Sequence, residues 1–165
     1  MKKKQKWQLQ EKFSFSLEFQ LEVLRFLIQS KESPLVLSKV KPGYFTLIEH
    51  SLILEALKKH YKKYKKIPGM PVLIETTRKL LDGREYVDLV TEEDIPNINS
   101  AINNLYTQPL KDEEVIHENI YKFAAYLEMK ALNEQMDFSN YNLYEDYQNK
   151  IANILKNSRP VKDEE

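Results

Sequence analysis

Residues 46–66 read TLIEHSLILEALKKHYKKYKK. Leu47, Ile48, Leu52, Ile53, Ala56, Leu57, Tyr61 and Tyr64 recur at steps of three and four, the spacing that puts side chains on one face of a helix. Lys58, Lys59, Lys62, Lys63, Lys65 and Lys66 crowd its far end. Cations there oppose the negative pole of the helix dipole, worth roughly 0.3–1 kcal/mol each when exposed, and their mutual repulsion takes part of that back. Ile67-Pro68-Gly69 stops the helix.

Upstream, Lys41-Pro42-Gly43 is a turn, and Pro34 suits the first position of a short helix carrying Leu35, Val36 and Val40. Before that, Leu17, Leu21, Leu24 and Ile28, widened by Val23 and Leu27, predict an amphipathic helix with Ser16 as its N-cap. Downstream, Pro71 opens a helix with Val72, Leu73, Thr76, Leu80 and Leu81 inward and Gly83 as C-terminal cap. An acidic connector, 84–94, contains Tyr86-Val87-Asp88-Leu89-Val90, which reads as extended but has no second strand to pair with. Pro96 starts a helix over 95–106 with Ile98, Ala101, Ile102 and Leu105 as its stripe.

Asp112 is expected to cap the longest helix, 113–136, whose stripe is Ile116, Ile120, Phe123, Ala124, Leu127 and Ala131. Tyr126, Met129 and Met136 lie off that stripe. Asn142 with Glu145 resembles a capping box. It opens a last helix, 143–157, with Tyr144, Tyr147, Ile151, Ile154 and Leu155. The expectation is an all-α chain of about seven helices: a basic flexible tail, 1–15; a compact helical bundle, 16–110; an antiparallel helical hairpin, 111–157; and a charged linker or tail, 158–165.

Composition removes most chemistries. The 165 residues are 42% hydrophobic and 30% charged, enough for a core beneath a charged surface. There is no cysteine, hence no disulfide, thiol nucleophile or cysteine zinc site. Three glycines cannot build glycine-rich phosphate cradles, and no GxxxxGK[ST] motif occurs. His50, His60 and His117 are too widely spaced for a helical metal pair. Glu92-Glu93-Asp94 and Asp112-Glu113-Glu114 precede helices, where carboxylates gain from the dipole alone. No catalytic residue, metal or cofactor is therefore expected. The basic start lacks the apolar stretch of a signal peptide, and no run approaches the ~20 apolar residues of a membrane span. A cytoplasmic protein without membrane contact is expected.

Zero net charge hides a polarity: residues 1–66 carry 15 Lys+Arg against 6 Asp+Glu, and residues 67–165 carry 10 against 19. Such a molecule has an electrostatic preference for how it meets a copy of itself or a charged partner. Lysine interleaved with tyrosine over 58–66 has the composition of a nucleic-acid surface. In helical phase, however, Tyr61 and Tyr64 follow the apolar stripe while most lysines point away. A solvated helix end is the favoured reading, with a protein contact or weak nucleic-acid contact at Lys58, Lys59, Lys62, Lys63, Lys65 and Lys66 as alternatives.

The order of these signals resembles the N-terminal domain of DnaB-type replicative DNA helicases, in its phage branch. The resemblance runs through Lys41-Pro42-Gly43-Tyr44-Phe45-Thr46-Leu47-Ile48-Glu49-His50 and the apolar helix that follows. The Ser16–Ile28 helix, the run Tyr61 to Leu73, and the closing pair Asp112–Met136 and Tyr144–Leu155 match as well. It covers about residues 16–157. It implies a non-catalytic collar domain that self-associates as a dimer or ring collar and docks primase and helicase loader during DNA replication, in the host bacterial cytoplasm if phage-encoded. The parent would be an ATP-dependent helicase. The family's RecA-type ATPase domain is absent, so the chain is either a fragment ending in a linker or a free-standing relative. The alternatives are a nucleic-acid-binding regulator and a decoy capping a helicase or primase.

A hairpin beside a 90-residue bundle can pack one face inward and leave the other wet, and exposed apolar patches beyond a few hundred Å² usually mark interaction sites. Ile120, Phe123, Leu127, Tyr147, Ile151 and Ile154 are therefore the expected self-association surface.

Overall fold

The computed structural model describes residues 15–83 and 90–159. Nearly all of the basic tail, the stretch 84–89 with most of the extended reading, and the chain after Arg159 lie outside the described residues. Among the described residues the protein is all-helical, as expected, with seven α-helices and no strand. They are α1 (Leu17–Gln29), α2 (Ser33–Val36), α3 (Ile48–Tyr64), α4 (Met70–Leu81), α5 (Ile95–Thr107), α6 (Glu113–Gln135) and α7 (Tyr144–Asn157). Short 3-10 turns fall at Leu37–Lys39, Pro42–Tyr44, Glu92–Asp94 and Tyr141–Leu143. The chain divides into two compact units, Met1–Lys111 and Asp112–Glu165.

The helix ends follow local chemistry, though not always the expected residue. Ser16 caps α1, its Oγ accepting from Phe19 N–H at 3.2 Å. Pro34, Pro71 and Pro96 each sit in a first turn, where the missing N–H costs nothing. The turn before α5 is held by a capping box, with Thr91 N–H donating to Asp94 Oδ2 at 2.9 Å. Three expected caps differ. Asp112 occupies the position before α6 in the left-handed region, φ 55°, and its side chain makes no capping bond. Asn142 falls inside the Tyr141–Leu143 turn, and it is Asn140 whose side chain accepts from Asn142 N–H, at 3.1 Å. Gly83 follows α4 without a positive φ. Helix α3 stops at Tyr64, before the Ile67-Pro68-Gly69 breaker, because Lys65 turns left-handed (φ 58°, ψ 27°) and its N–H closes onto Tyr61 O at 2.8 Å.

The core of the first unit is built from Val23, Leu24, Phe26 and Leu27 on α1, Leu52, Ile53, Leu54, Ala56 and Leu57 on α3, Leu73 on α4, and Ile98, Ile102 and Leu105 on α5. Helix α3 packs on α4 and α5, and α1 packs on α5. At about 1.5–3 kcal/mol per large buried side chain, this cluster is the main source of stability. Leu17 and Val72, expected inward, are 45% and 46% exposed, because each sits in the first turn of its helix, at the margin of the packed face.

Polar side chains fasten the loops. Gln20, 4% exposed, donates to Phe15 O and Thr46 Oγ1 and accepts from Thr46 N–H, which ties the approach to α3 onto α1. Gln29 donates to Leu105 O (2.8 Å) and Gln108 O (2.7 Å) and accepts from Leu110 N–H (3.0 Å), holding the chain after α5. Arg25 bridges Glu22 on its own helix to Asn104 on α5. Tyr106 donates to Pro68 O at 2.6 Å, and burial pushes its phenol above the usual tyrosine range.

In the second unit α7 packs against α6. Tyr147 donates to Asn133 Oδ1 at 2.6 Å, whereas Ile154 shares a groove with Glu128, further back along α6. Phe138 in the connection stacks edge-on against Tyr147, centroids 5.3 Å apart, and its carbonyl accepts from Tyr144 at 2.6 Å. Buried positions on α6 are confined to Ile116, Ile120, Tyr121 and Phe123; α7 has none.

Candidate functional site

Two surfaces carry the residues singled out from sequence. The first is a basic groove in the first unit. Lys58, Tyr61 and Lys62 lie at i, i+3 and i+4 near the end of α3 and so share one face, and Lys65, just past the helix end, lines the same groove. Pro34, Leu37 and Ser38, from α2 and the turn after it, form the facing wall. The expected separation of tyrosine from lysine does not hold for Tyr61, which lines the groove with Lys58, Lys62 and Lys65. Tyr61 is half-buried among three lysines, while Tyr64 is 53% exposed rather than part of the core. The left-handed turn at Lys65 brings its Nζ to 6.0 Å from the Tyr61 ring centroid. Lys63 lies instead over Tyr64, at 5.3 Å, and Lys59, Lys63 and Lys66 do not line the groove.

Within the groove, Lys58 is the least solvated ammonium. Burial, and after it the nearby Lys41 charge, holds its pKa below the ordinary lysine value. No carboxylate lies within 4.0 Å of Lys58, Lys62 or Lys65 among the described residues. The groove is therefore a concentration of positive charge beside one aromatic ring and an apolar wall, and it lacks an internal counter-ion.

The second surface is the apolar exterior of residues 112–159. Of the 11 large hydrophobic side chains exposed among the described residues, 7 fall in this unit: Val115, Tyr126, Phe138, Tyr141, Leu143, Tyr144 and Leu155. The six residues expected to form a self-association face do not share one environment. Ile120 and Phe123 are fully buried and offer nothing to a second molecule. Leu127, Tyr147, Ile151 and Ile154 are half-buried. Tyr147 and Ile154 face α6, through the Asn133 bond and the shared groove, Ile151 lies between them and the stripe's far edge, and Tyr144 and Leu155 on that edge are 43% and 56% exposed.

Sequence reasoning passed over the buried polar groups Gln20, Arg25 and Thr77, and weighed His50 only as a metal ligand and as part of the resemblance. His50 is 7% exposed, stands edge-on to Phe45 and has no partner for Nδ1 among the described residues. Burial depresses its pKa, only partly offset by Glu49. No signal in the sequence separates such a histidine from a surface one, except that it lies one residue off an apolar stripe. Among the described residues no three His, Asp or Glu side chains converge as metal ligands, and no helix is long and apolar enough to cross a membrane. No protein-family model, curated protein or solved structure matches this chain.

Proposed function

We propose that this chain is a non-catalytic assembly and docking module, working as the N-terminal collar domain of a DnaB-type replicative DNA helicase works: it self-associates and offers surface to primase and helicase-loading proteins during DNA replication. The family is taken from the sequence resemblance through Lys41–His50, the Tyr61–Leu73 run and the closing helix pair. The observation that carries an interaction role is helix α7, fourteen residues long with none buried and with Leu155 56% exposed. A helix whose apolar stripe is only half covered has a reason to meet another molecule. A second copy presenting the same stripe supplies a matching surface, and two-fold pairing is the commonest arrangement of identical chains.

Sedimentation velocity across a concentration series tests this. The wild-type chain is expected to associate reversibly. The double variant Ile151→Glu/Leu155→Glu is expected to remain monomeric with unchanged helical circular dichroism. A wild-type chain that stays monomeric at several hundred micromolar refutes the assembly role.

A further inference from the structure

The basic groove is not used by the assembly reading, and its composition is specific. We propose that the groove formed by Lys58, Tyr61, Lys62 and Lys65 against Pro34 and Leu37 binds single-stranded nucleic acid, the lysines holding the phosphate backbone and Tyr61 a base. Lys58 and Lys65 are seven residues apart on or just past α3, about 10 Å at 1.5 Å per residue. That is the length of about three nucleotides in a stacked strand at 3.4 Å each. A backbone laid along the groove meets an ammonium at each end and one in between.

Three features favour a strand over an acidic peptide. The ammoniums have no carboxylate among the described residues, so anion binding breaks no existing ion pair. The half-buried ring of Tyr61 and the exposed ring of Pro34, backed by the buried Leu37, give apolar contact area beside the charges, which suits a base and is wasted on a carboxylate. Lys58 is held near Lys41 in a poorly solvated position, and an anion with several acceptor oxygens relieves that repulsion. The lysines on the outer faces, Lys59, Lys63 and Lys66, add general attraction without a groove to direct it.

The test is fluorescence anisotropy with the full chain and a labelled thymidine 12-mer over a salt series. Three phosphates neutralised on a single strand give a slope of log K against log salt near −2. Lys62→Gln/Lys65→Gln is expected to flatten the slope by about 1.4 and weaken binding at least tenfold at low salt. Tyr61→Leu, which keeps apolar bulk where Tyr61→Ala risks the fold, is expected to weaken binding fivefold or more at unchanged slope. An abasic 12-mer should bind the wild type as weakly as thymidine binds Tyr61→Leu. Lys59→Gln/Lys63→Gln should cost less than Lys62→Gln/Lys65→Gln. The proposal is overturned if the two double variants are equivalent, if the abasic strand binds as well as thymidine, or if polyglutamate of equal charge competes as well as the oligonucleotide. The last result would assign the groove to an acidic protein segment.

Discussion

Replacing Gln20 by Glu exchanges one NH2 for an oxygen in a site 4% exposed. The amide is oriented by its partners: Phe15 O at 3.2 Å can only accept, and Thr46 N–H at 2.9 Å can only donate. The ionised carboxylate introduced by Gln20→Glu keeps the bond from Thr46 N–H and, after a hydroxyl rotation, gains one from Thr46 Oγ1. Against Phe15 O it sets one acceptor facing another. A buried charge without a counter-ion costs about 3–5 kcal/mol, and a charge-assisted bond returns about 1. The net expectation is a loss of about 2–4 kcal/mol at pH 7. With a urea slope of about 2 kcal/mol per M, the middle of the range for small proteins, that is a midpoint drop of about 1–2 M. At pH 4 the introduced acid is largely protonated in the folded state and can donate to Phe15 O. The carboxyl binds its proton more tightly folded than unfolded, so its contribution is retained below the ordinary Glu pKa and lost as pH rises through the raised folded value. The penalty should therefore shrink to about 1 kcal/mol at pH 4, each variant being compared with wild type at the same pH. Equal penalties at both pH values, or a pH 7 loss under about 0.5 kcal/mol, would refute the assigned orientation and burial of Gln20.

Lys65→Gly should raise stability by about 0.5–1 kcal/mol in thermal melts, because glycine adopts φ 58° without a Cβ penalty, while removing one groove cation. A fall in stability would show that Lys65 contributes more through Tyr61 than its backbone costs. His50 has its folded pKa below the unfolded value, so the unfolded chain takes up the proton first. Stability should be full above about pH 6.5 and fall as pH drops below it, and His50→Phe should flatten that slope in urea titrations between pH 7 and 5. Ile151→Glu/Leu155→Glu should abolish association without loss of helicity, and Lys62→Gln/Lys65→Gln should flatten the salt dependence of strand binding.

Much of the architecture was written in periodicity. The stripes Leu52/Ile53/Ala56/Leu57 and Ile98/Ile102/Leu105 predicted which residues of α3 and α5 are buried. Two of the buried residues missed, Phe26 and Leu54, lie outside a single stripe because α1 and α3 bury a face wider than one spacing rule describes. Helix ends were less legible. Lys65 adopts positive φ with nothing in its side chain to announce it, whereas Asp112 belongs to the short polar residues that tolerate that region but reads equally well as an ordinary N-cap. For the groove, the spacing of Lys58, Tyr61, Lys62 and Lys65 was visible, but not the wall. Pro34 and Leu37 reach it only through packing between segments more than twenty residues apart.

Helix α7 has a kinetic consequence. Fourteen residues are close to the ~12–15 below which an isolated helix is marginal in water, and none of them is buried. Its persistence rests on one side of contact with α6 and on a surface ion pair, Lys150 to Asp146 at 3.0 Å, worth a few tenths of a kcal/mol. The stretch 50–57 of helix α3, with six buried positions, should lose its amide hydrogens mainly through global opening of its unit, whereas α7 can open alone. Native-state amide exchange should therefore be fast over 144–157 in the monomer and slow steeply with protein concentration if copies pair there. The local exchange rate of one helix then becomes a direct gauge of how much of the surface is occupied.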